Sequence, residues 1–243
     1  MPHHIRIVLV ETSHPGNIGA AARAIKTMCL DQLVLVNPVV FPHAEASARA
    51  SGALDILEQA QVVTDLDAAL TACVLVAGTS ARHRGLGPPE ITPRVCAEKL
   101  MAVSADQDVA VLFGRERIGL TNEEADRCHF LINIPANPDY SSLNLAAAVQ
   151  VIAYELMLAR VAPAAGREHD VLPATVEEME GLYAHLESAA SGSGFLDPAN
   201  PRHLMRRLRH LLGRARPDQR EVNILRGLLN ALQNPRPHKH NKD

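Results

Sequence analysis

The chain has 243 residues, 47% of them hydrophobic, enough for one substantial domain and a small one. No apolar run approaches the roughly 20 residues of a membrane span, and Met1-Pro2-His3-His4 leads straight into strand-like sequence without a signal-peptide core, so a cytoplasmic protein without membrane contact is expected. The formal net charge of −3 argues weakly against nucleic acid, but it is uneven: residues 1–160 carry 12 Lys+Arg against 17 Asp+Glu, and residues 161–243 carry 12 against 10.

Residues 5–10 are an apolar-rich strand candidate. Residues 12–17 form a turn punctuated by Pro15-Gly16-Asn17, and residues 18–28 an Ala-rich helix with Asn17 placed as its N-cap. A second strand over 33–36 ends at Asn37-Pro38, and residues 44–50 and 65–71 read as helices. A third strand over 74–77 runs into Gly78-Thr79-Ser80-Ala81-Arg82, a fourth over 109–113 into Gly114, and a fifth over 130–134 into Pro135. Residues 144–160 form a helix with Leu145, Val149, Ile152 and Leu156 on one face. Residues 161–174 read as a linker, 175–190, 200–213 and 217–233 as helices, and the tail from 234 as disordered.

Short apolar strands alternating with helices imply an α/β domain with a mainly parallel sheet buried on both faces. Such sheets bind ligands beyond the carboxyl ends of their strands. The polar, Gly-rich segments after the third, fourth and fifth strands all fall on that edge.

Common cofactor motifs are missing: no GxGxxG follows the first strand, and neither GxxxxGK[ST] nor GxSxG occurs. The cysteines Cys29, Cys73, Cys96 and Cys128 form no CxxC pair and read as reduced, mostly buried thiols. The histidines show no HExxH spacing, so no metal is expected.

Three polar clusters stand out. Asn17-Ile18-Gly19-Ala20-Ala21-Ala22-Arg23 sets an arginine in a helix otherwise built of small and apolar residues, which let a backbone or a ligand approach closely. Gly114-Arg115-Glu116-Arg117-Ile118-Gly119-Leu120 brackets an acid with glycines. Tyr140-Ser141-Ser142-Leu143-Asn144-Leu145 packs polar groups where a loop enters a helix. The first two have a plain structural reading as well: a surface arginine and an ordinary strand-to-helix turn.

Together, NxGxxxR, GxExxGL and SSLNLAxAxxxxxYE, each after a strand and in this order, resemble the three signature motifs of the SpoU branch of the SPOUT methyltransferases. The resemblance covers residues 5–160. The flanks Val8-Leu9-Val10-Glu11-Thr12-Ser13-His14 and Asn137-Pro138-Asp139-Tyr140, and the helical C-terminal part, resemble the members that modify the tRNA anticodon loop.

The resemblance implies a Rossmann-like sheet whose last part is tied into a trefoil knot, a homodimer formed through that region, and no metal. It implies S-adenosylmethionine as cofactor, held by Thr79, Ser80, Ala81, Gly114, Arg115, Glu116, Ile134, Ser141, Ser142 and Leu143. The implied reaction is 2′-O-methylation of cytidine or uridine 32, the first nucleotide of the tRNA anticodon loop. Another tRNA position, ribosomal RNA, or a non-catalytic RNA-binding module are the alternatives. Arg23 is the implied catalytic arginine; a guanidinium keeps its proton, so it suits phosphate anchoring and alkoxide stabilisation better than general base work. Asn17, Ser142 and Asn144 would orient it and the nucleotide, Tyr140 would touch the base or hydroxyl, and Glu116 would orient an arginine of the facing subunit.

Residues 202–216 hold six arginines and no acid. Leu204, Leu208, Leu211 and Leu212 make an apolar stripe with Arg202, Arg206, Arg209 and Arg216 broadly opposite. The missing acids favour phosphate contact, so Arg23, Arg82, Arg202, Arg206 and Arg209 are the candidate RNA contacts. Aromatic residues make up only 3% of the chain, so recognition should rest on tRNA shape and phosphates rather than base stacking.

Overall fold

The computed structural model describes residues 4–82, 87–161 and 173–234. Most of the expected linker (162–172) and the expected disordered tail from 235 lie outside the described residues.

The elements follow in the order β1 (Ile5–Val10), α1 (Pro15–Thr27), β2 (Gln32–Val36), α2 (Ala44–Ala50), α3 (Leu54–Glu58), β3 (Gln61–Val63), α4 (Leu66–Leu70), β4 (Leu75–Thr79), β5 (Glu90–Ile91), α5 (Pro93–Met101), β6 (Val109–Phe113), α6 (Asn122–Asp126), β7 (Phe130–Ile132), α7 (Leu145–Val161), α8 (Val176–Gly192), α9 (Leu204–Ala215) and α10 (Gln219–Gln233). The seven strands form one sheet in the order β3-β2-β1-β6-β4-β7-β5, with every pairing parallel. The five expected strands are all present. β3 and β5, with three and two residues, are too short for a periodic signal. Helices α3, α5 and α6 were also absent from the sequence reading, although Thr92-Pro93 and the Thr121–Glu124 capping box are start signals in plain sight.

The central strands are buried on both sides, which accounts for their continuous apolar runs. Ile5, Ile7, Leu9, Leu75, Val109, Val111 and Phe113 face the layer formed by α1, α2, α3, α5 and α7. The alternate residues Val8, Val10, Val34, Val76, Ala110 and Leu112 face a thinner cover of α4, α6 and Val176 at the start of α8. The amide of Val176 also donates to the Cys73 carbonyl at 2.7 Å, fastening the C-terminal helices to the sheet. Helices α8 to α10 share a separate small cluster around Met179, Leu182, Tyr183 and Val222. Cys73 and Cys96 are buried, and burial pushes both thiols up to about 12. Among the described residues no helix is long and apolar enough to cross a membrane.

The apolar face of α7 is intrachain core: Leu145, Val149, Ile152, Ala153 and Leu156 pack beneath α1 and α5. Its outward side leaves Tyr154, Leu158 and Val161 exposed.

Helix α1 begins earlier than expected. Pro15 occupies its first turn, where a proline's missing N–H costs nothing, and His14 takes the N-cap position without a side-chain cap. Asn17 is therefore not an N-cap but lies within the first turn, its side chain free for other partners. Gly19 is the point of closest approach between α1 and α2: a Cβ there would lie 2.8 Å from the Ala46 carbonyl carbon and closer still to its oxygen. The small residues of this motif thus admit a neighbouring backbone, not a ligand. Gly19→Ala is expected to cost about 1–3 kcal/mol through overpacking, read as a fall in Tm of about 2–4 °C per kcal/mol.

Candidate active site

Strands β1, β6, β4 and β7 are neighbours in a parallel sheet, so their carboxyl ends bring four loops together. The loops after β4, β6 and β7 enclose a cleft of about 250 Å³. All ten expected cofactor residues line it: Thr79, Ser80, Ala81, Gly114, Arg115, Glu116, Ile134, Ser141, Ser142 and Leu143. Phe113, Leu120, Ile132 and Leu145, which the sequence reading did not assign, complete an apolar wall. Phe113 and Ile132 end β6 and β7, Leu145 opens α7, and Leu120 lies in the loop between β6 and α6.

The loop of residues 114–120 is a tight closed turn. The Arg115 amide donates to the Gly119 carbonyl at 3.2 Å, and the Gly119 amide donates back at 2.9 Å. Gly114 lies against that turn: a Cβ would sit 2.5 Å from the Gly119 oxygen and closer to the Gly119 carbonyl carbon and the Leu120 nitrogen. Two of the three charged residues between these glycines, Arg115 and Glu116, are bolted in different directions. Arg115 Nε donates to Glu11 Oε2 at 2.8 Å, and its two terminal nitrogens donate to the Glu124 carboxylate at 3.0 Å each. Hydrogen bonds to Glu11 and then Glu124 raise the guanidinium's pKa, and the Glu11 carboxyl is lowered by the same contact. The Arg115 head group is thus committed to shaping the loop.

Glu116 reaches the other way, to the start of α1. Its Oε2 accepts from the Ser13 amide (3.2 Å) and Ser13 Oγ (3.0 Å); its Oε1 accepts from the His14 amide (3.2 Å) and Asn17 Nδ2 (3.0 Å). Burial alone would raise this carboxyl's pKa, but the hydrogen bonds from Asn17 and the Ser13 and His14 amides leave it below the usual carboxylate range. With four donors on two oxygens, Glu116 has no acceptor site left for an arginine of a facing subunit, and that expected role is withdrawn. Asn17 passes the chain on: its Oδ1 accepts from Asn144 Nδ2 at 3.0 Å. Asn144 in turn caps α7, its Oδ1 accepting from the amides of Ala146 and Ala147 at 3.0 and 3.3 Å. One hydrogen-bonded relay, Asn144–Asn17–Glu116, thereby joins the three motifs across more than a hundred residues.

Several side chains at the cleft are engaged and several are not. Thr79 Oγ1 donates to the Leu112 carbonyl at 3.1 Å, and Ser80 Oγ to the Arg82 carbonyl at 2.8 Å. Ser141 and Ser142 keep their hydroxyls without a partner among the described residues. Arg82 lines the rim and is exposed. Arg23 and Tyr140 stand outside the cleft. Arg23 is exposed on α1, two turns beyond Asn17, and its guanidinium has no partner among the described residues. Tyr140 is 81% exposed and lines a second cavity, with Arg94, Glu155 and Val151, across the wall formed by Ser142 and Leu143. Among the described residues no group of His, Cys, Asp or Glu is placed to hold a metal ion.

Two of the candidate RNA contacts are corrected. Arg206 Nε pairs with Asp126 Oδ2 at 2.9 Å, and Arg209 makes a two-point pair with Glu180 at 2.5 and 2.7 Å while stacking 4.3 Å above the Tyr183 ring. The acids absent from residues 202–216 are supplied by α6 and α8, which sequence neighbourhood does not reveal. The apolar stripe is only half-buried: Leu204, Leu208 and Leu212 are partly covered, Leu211 is 53% exposed, and α9 fully buries none of its residues. Arg202 remains exposed, without a partner among the described residues.

The cleft's makeup fits a nucleoside-like ligand. The apolar wall suits an aromatic base, the hydroxyls of Ser141 and Ser142 suit polar groups, and the Gly114 turn admits backbone contact.

Residues 4–154 match the SpoU rRNA Methylase family, and residues 177–243 match the family described as tRNA methyltransferase TrmJ, C-terminal domain. The tRNA (cytidine/uridine-2′-O-)-methyltransferase TrmJ of Sodalis glossinidius (strain morsitans) is 52% identical over 237 residues, covering 96% of this chain and 92% of the relative. The crystal structure of TrmJ from Z. mobilis ZM4 superposes with a TM-score of 0.82 at 35% identity, covering 96% of this chain and 99% of that one. The SpoU methyltransferase AviRb from Streptomyces viridochromogenes, in complex with AdoMet, shares the fold at 21% identity and a TM-score of 0.51, over 66% of this chain and 62% of that one.

Proposed function

Because the chain belongs to the SpoU methylase family, and within it to the TrmJ tRNA 2′-O-methyltransferases, we propose that it methylates the ribose 2′-hydroxyl of cytidine or uridine 32 of tRNA, using S-adenosylmethionine. The observation that carries this reading is the Asn144–Asn17–Glu116 relay, which ties the arginine-bearing helix α1 to two of the three loops of the cleft.

In this reading Phe113, Leu120, Ile132 and Ile134 hold the adenine, and the hydroxyls of Ser141 and Ser142 hold the ribose and amino-acid end. The cofactor supplies a methyl group on a sulfonium, already provided with a good leaving group. What remains for the protein is to orient the nucleotide and stabilise the oxygen as its proton leaves. Asn144 and Asn17 fix the entry of α7 against α1, and Arg23 supplies the positive charge.

Arg23 stands outside the cleft of its own chain, and this supports a homodimer in which each chain's Arg23 serves the other's cleft. The exposed Tyr154 and Leu158 of α7 are the apolar material for that contact. The knotted topology rests on the chain's membership of the SpoU family. Residues 1–160 then form the methyltransferase unit and 175–233 the unit that docks the RNA backbone, in the cytoplasm where tRNA is found.

Methyl incorporation from labelled S-adenosylmethionine into total tRNA, followed by nucleoside mapping, tests the reading. The expected result is a 2′-O-methyl group on cytidine or uridine 32. Label at another tRNA position, or only in ribosomal RNA, would move the target while keeping the chemistry. No incorporation by folded protein would overturn the reading.

A further inference from the structure

Helix α9 has two basic sides. Arg206 and His210 turn toward α6, where Asp126 receives both: Arg206 Nε at 2.9 Å on Oδ2 and His210 Nε2 at 3.2 Å on Oδ1. Arg207 and Arg214, seven residues apart and so on one line of the helix, sit roughly a quarter-turn away. Both are exposed, with no partner among the described residues.

This helix is held mainly by polar contacts. It fully buries no residue, and only Met205 and Leu212 lean on the small C-terminal cluster. Apolar contact is non-directional and leaves a helix free to roll, whereas hydrogen-bonded ion pairs fix an angle. The pairs at Asp126 are also sheltered: the Asp126 and His210 side chains are each 14% exposed and Arg206 21%, so water and salt weaken them less than surface pairs. Arg209 fastens α9 to α8 within the C-terminal unit, while Asp126 fastens it to the methyltransferase unit.

Asp126 belongs to a helix of five residues, and the same helix holds Glu124, which grips Arg115 of the cleft loop. Helix α6 is therefore a rigid block between the cleft loop on one side and α9 on the other.

We propose that Asp126 is a positioning residue for the RNA substrate: by fixing the angle of α9 on α6, it presents Arg207 and Arg214 to the tRNA phosphate backbone in register with the cleft. This rests on the tRNA methyltransferase reading. Asp126 touches neither cofactor nor nucleotide; it acts through α9.

Steady-state kinetics on tRNA, with cofactor binding measured separately by calorimetry, tests the proposal. Asp126→Asn is expected to raise KM for tRNA about five- to tenfold, leaving kcat and the cofactor Kd unchanged. Arg206→Gln breaks the Arg206 part of that contact from the other side without touching α6; with His210 still on Asp126, KM should rise in the same direction and by no more. The double variant should be no worse than Asp126→Asn alone, because that change already breaks the Arg206 pair. A purely structural contact would lower Tm and leave KM alone; that outcome, or a loss confined to kcat, overturns the proposal. Wild-type turnover is read in the same assay. Its absence sinks the functional reading together with this proposal, whereas normal wild-type turnover with unaltered KM in both variants sinks the proposal only.

Discussion

Arg23→Ala is expected to lower kcat for tRNA methylation about 10²–10³-fold, the usual loss when one donor to a developing oxyanion is removed. Cofactor affinity should not change, because Arg23 lies outside the cleft. The side chain is exposed and without a partner among the described residues, so its removal leaves no buried group unsatisfied and Tm should hold. Calorimetry with S-adenosylmethionine, alongside turnover on tRNA, separates the possibilities. Collapse of cofactor binding would make Arg23 a structural residue of α1 and remove it from the chemistry. Lysine at this position should rescue only in part, since it keeps the charge and loses the planar two-point grip on a phosphate.

Gly114→Ala should do the opposite: cofactor binding fails, and the Arg23 helix is left intact. The added Cβ would lie within 2.5 Å of the Gly119 oxygen, and the atoms it meets are backbone, which cannot swing aside. Relief requires the turn over residues 114–120 to open, against the Arg115 pairs with Glu11 and Glu124 and the Glu116 contacts with Ser13, His14 and Asn17. An overpacking cost of about 1–3 kcal/mol, taken from cofactor binding, corresponds to roughly five- to 150-fold weaker affinity. Titration calorimetry reads this directly. Unaltered affinity would mean that the turn accommodates the methyl group and is not the tight cradle described above.

The two variants also test the homodimer. If each chain's Arg23 serves the other's cleft, co-expressed Arg23→Ala and Gly114→Ala chains form mixed dimers with one intact site, in which the cleft of the first meets the arginine of the second. Turnover well above either variant alone is then expected. If Arg23 acts on its own cleft, mixing restores nothing.

The sheet and the edge that carries the cleft were legible in the sequence because their physics is local. A strand buried on both faces must read as an unbroken apolar run, as β1 and β6 do, and a parallel sheet must place the loops after β4, β6 and β7 on one edge. The three motifs could therefore be assigned to one site, and the ten positions expected to hold the cofactor line one cleft. Side-chain partners at long range were not legible. The arginines of residues 202–216 looked free because no acid lies beside them in the chain, yet Arg206 and Arg209 meet Asp126 and Glu180. Glu116 looked available, yet four donors from the start of α1 fill it. Asn17 looked like a cap, yet Pro15 starts α1 earlier and frees it to bridge Glu116 and Asn144. Burial pattern and backbone geometry are properties of a segment and survive in its sequence. The pairing of a charge or an amide is decided by whichever partner the fold carries within about 3 Å, and only the tertiary structure decides that.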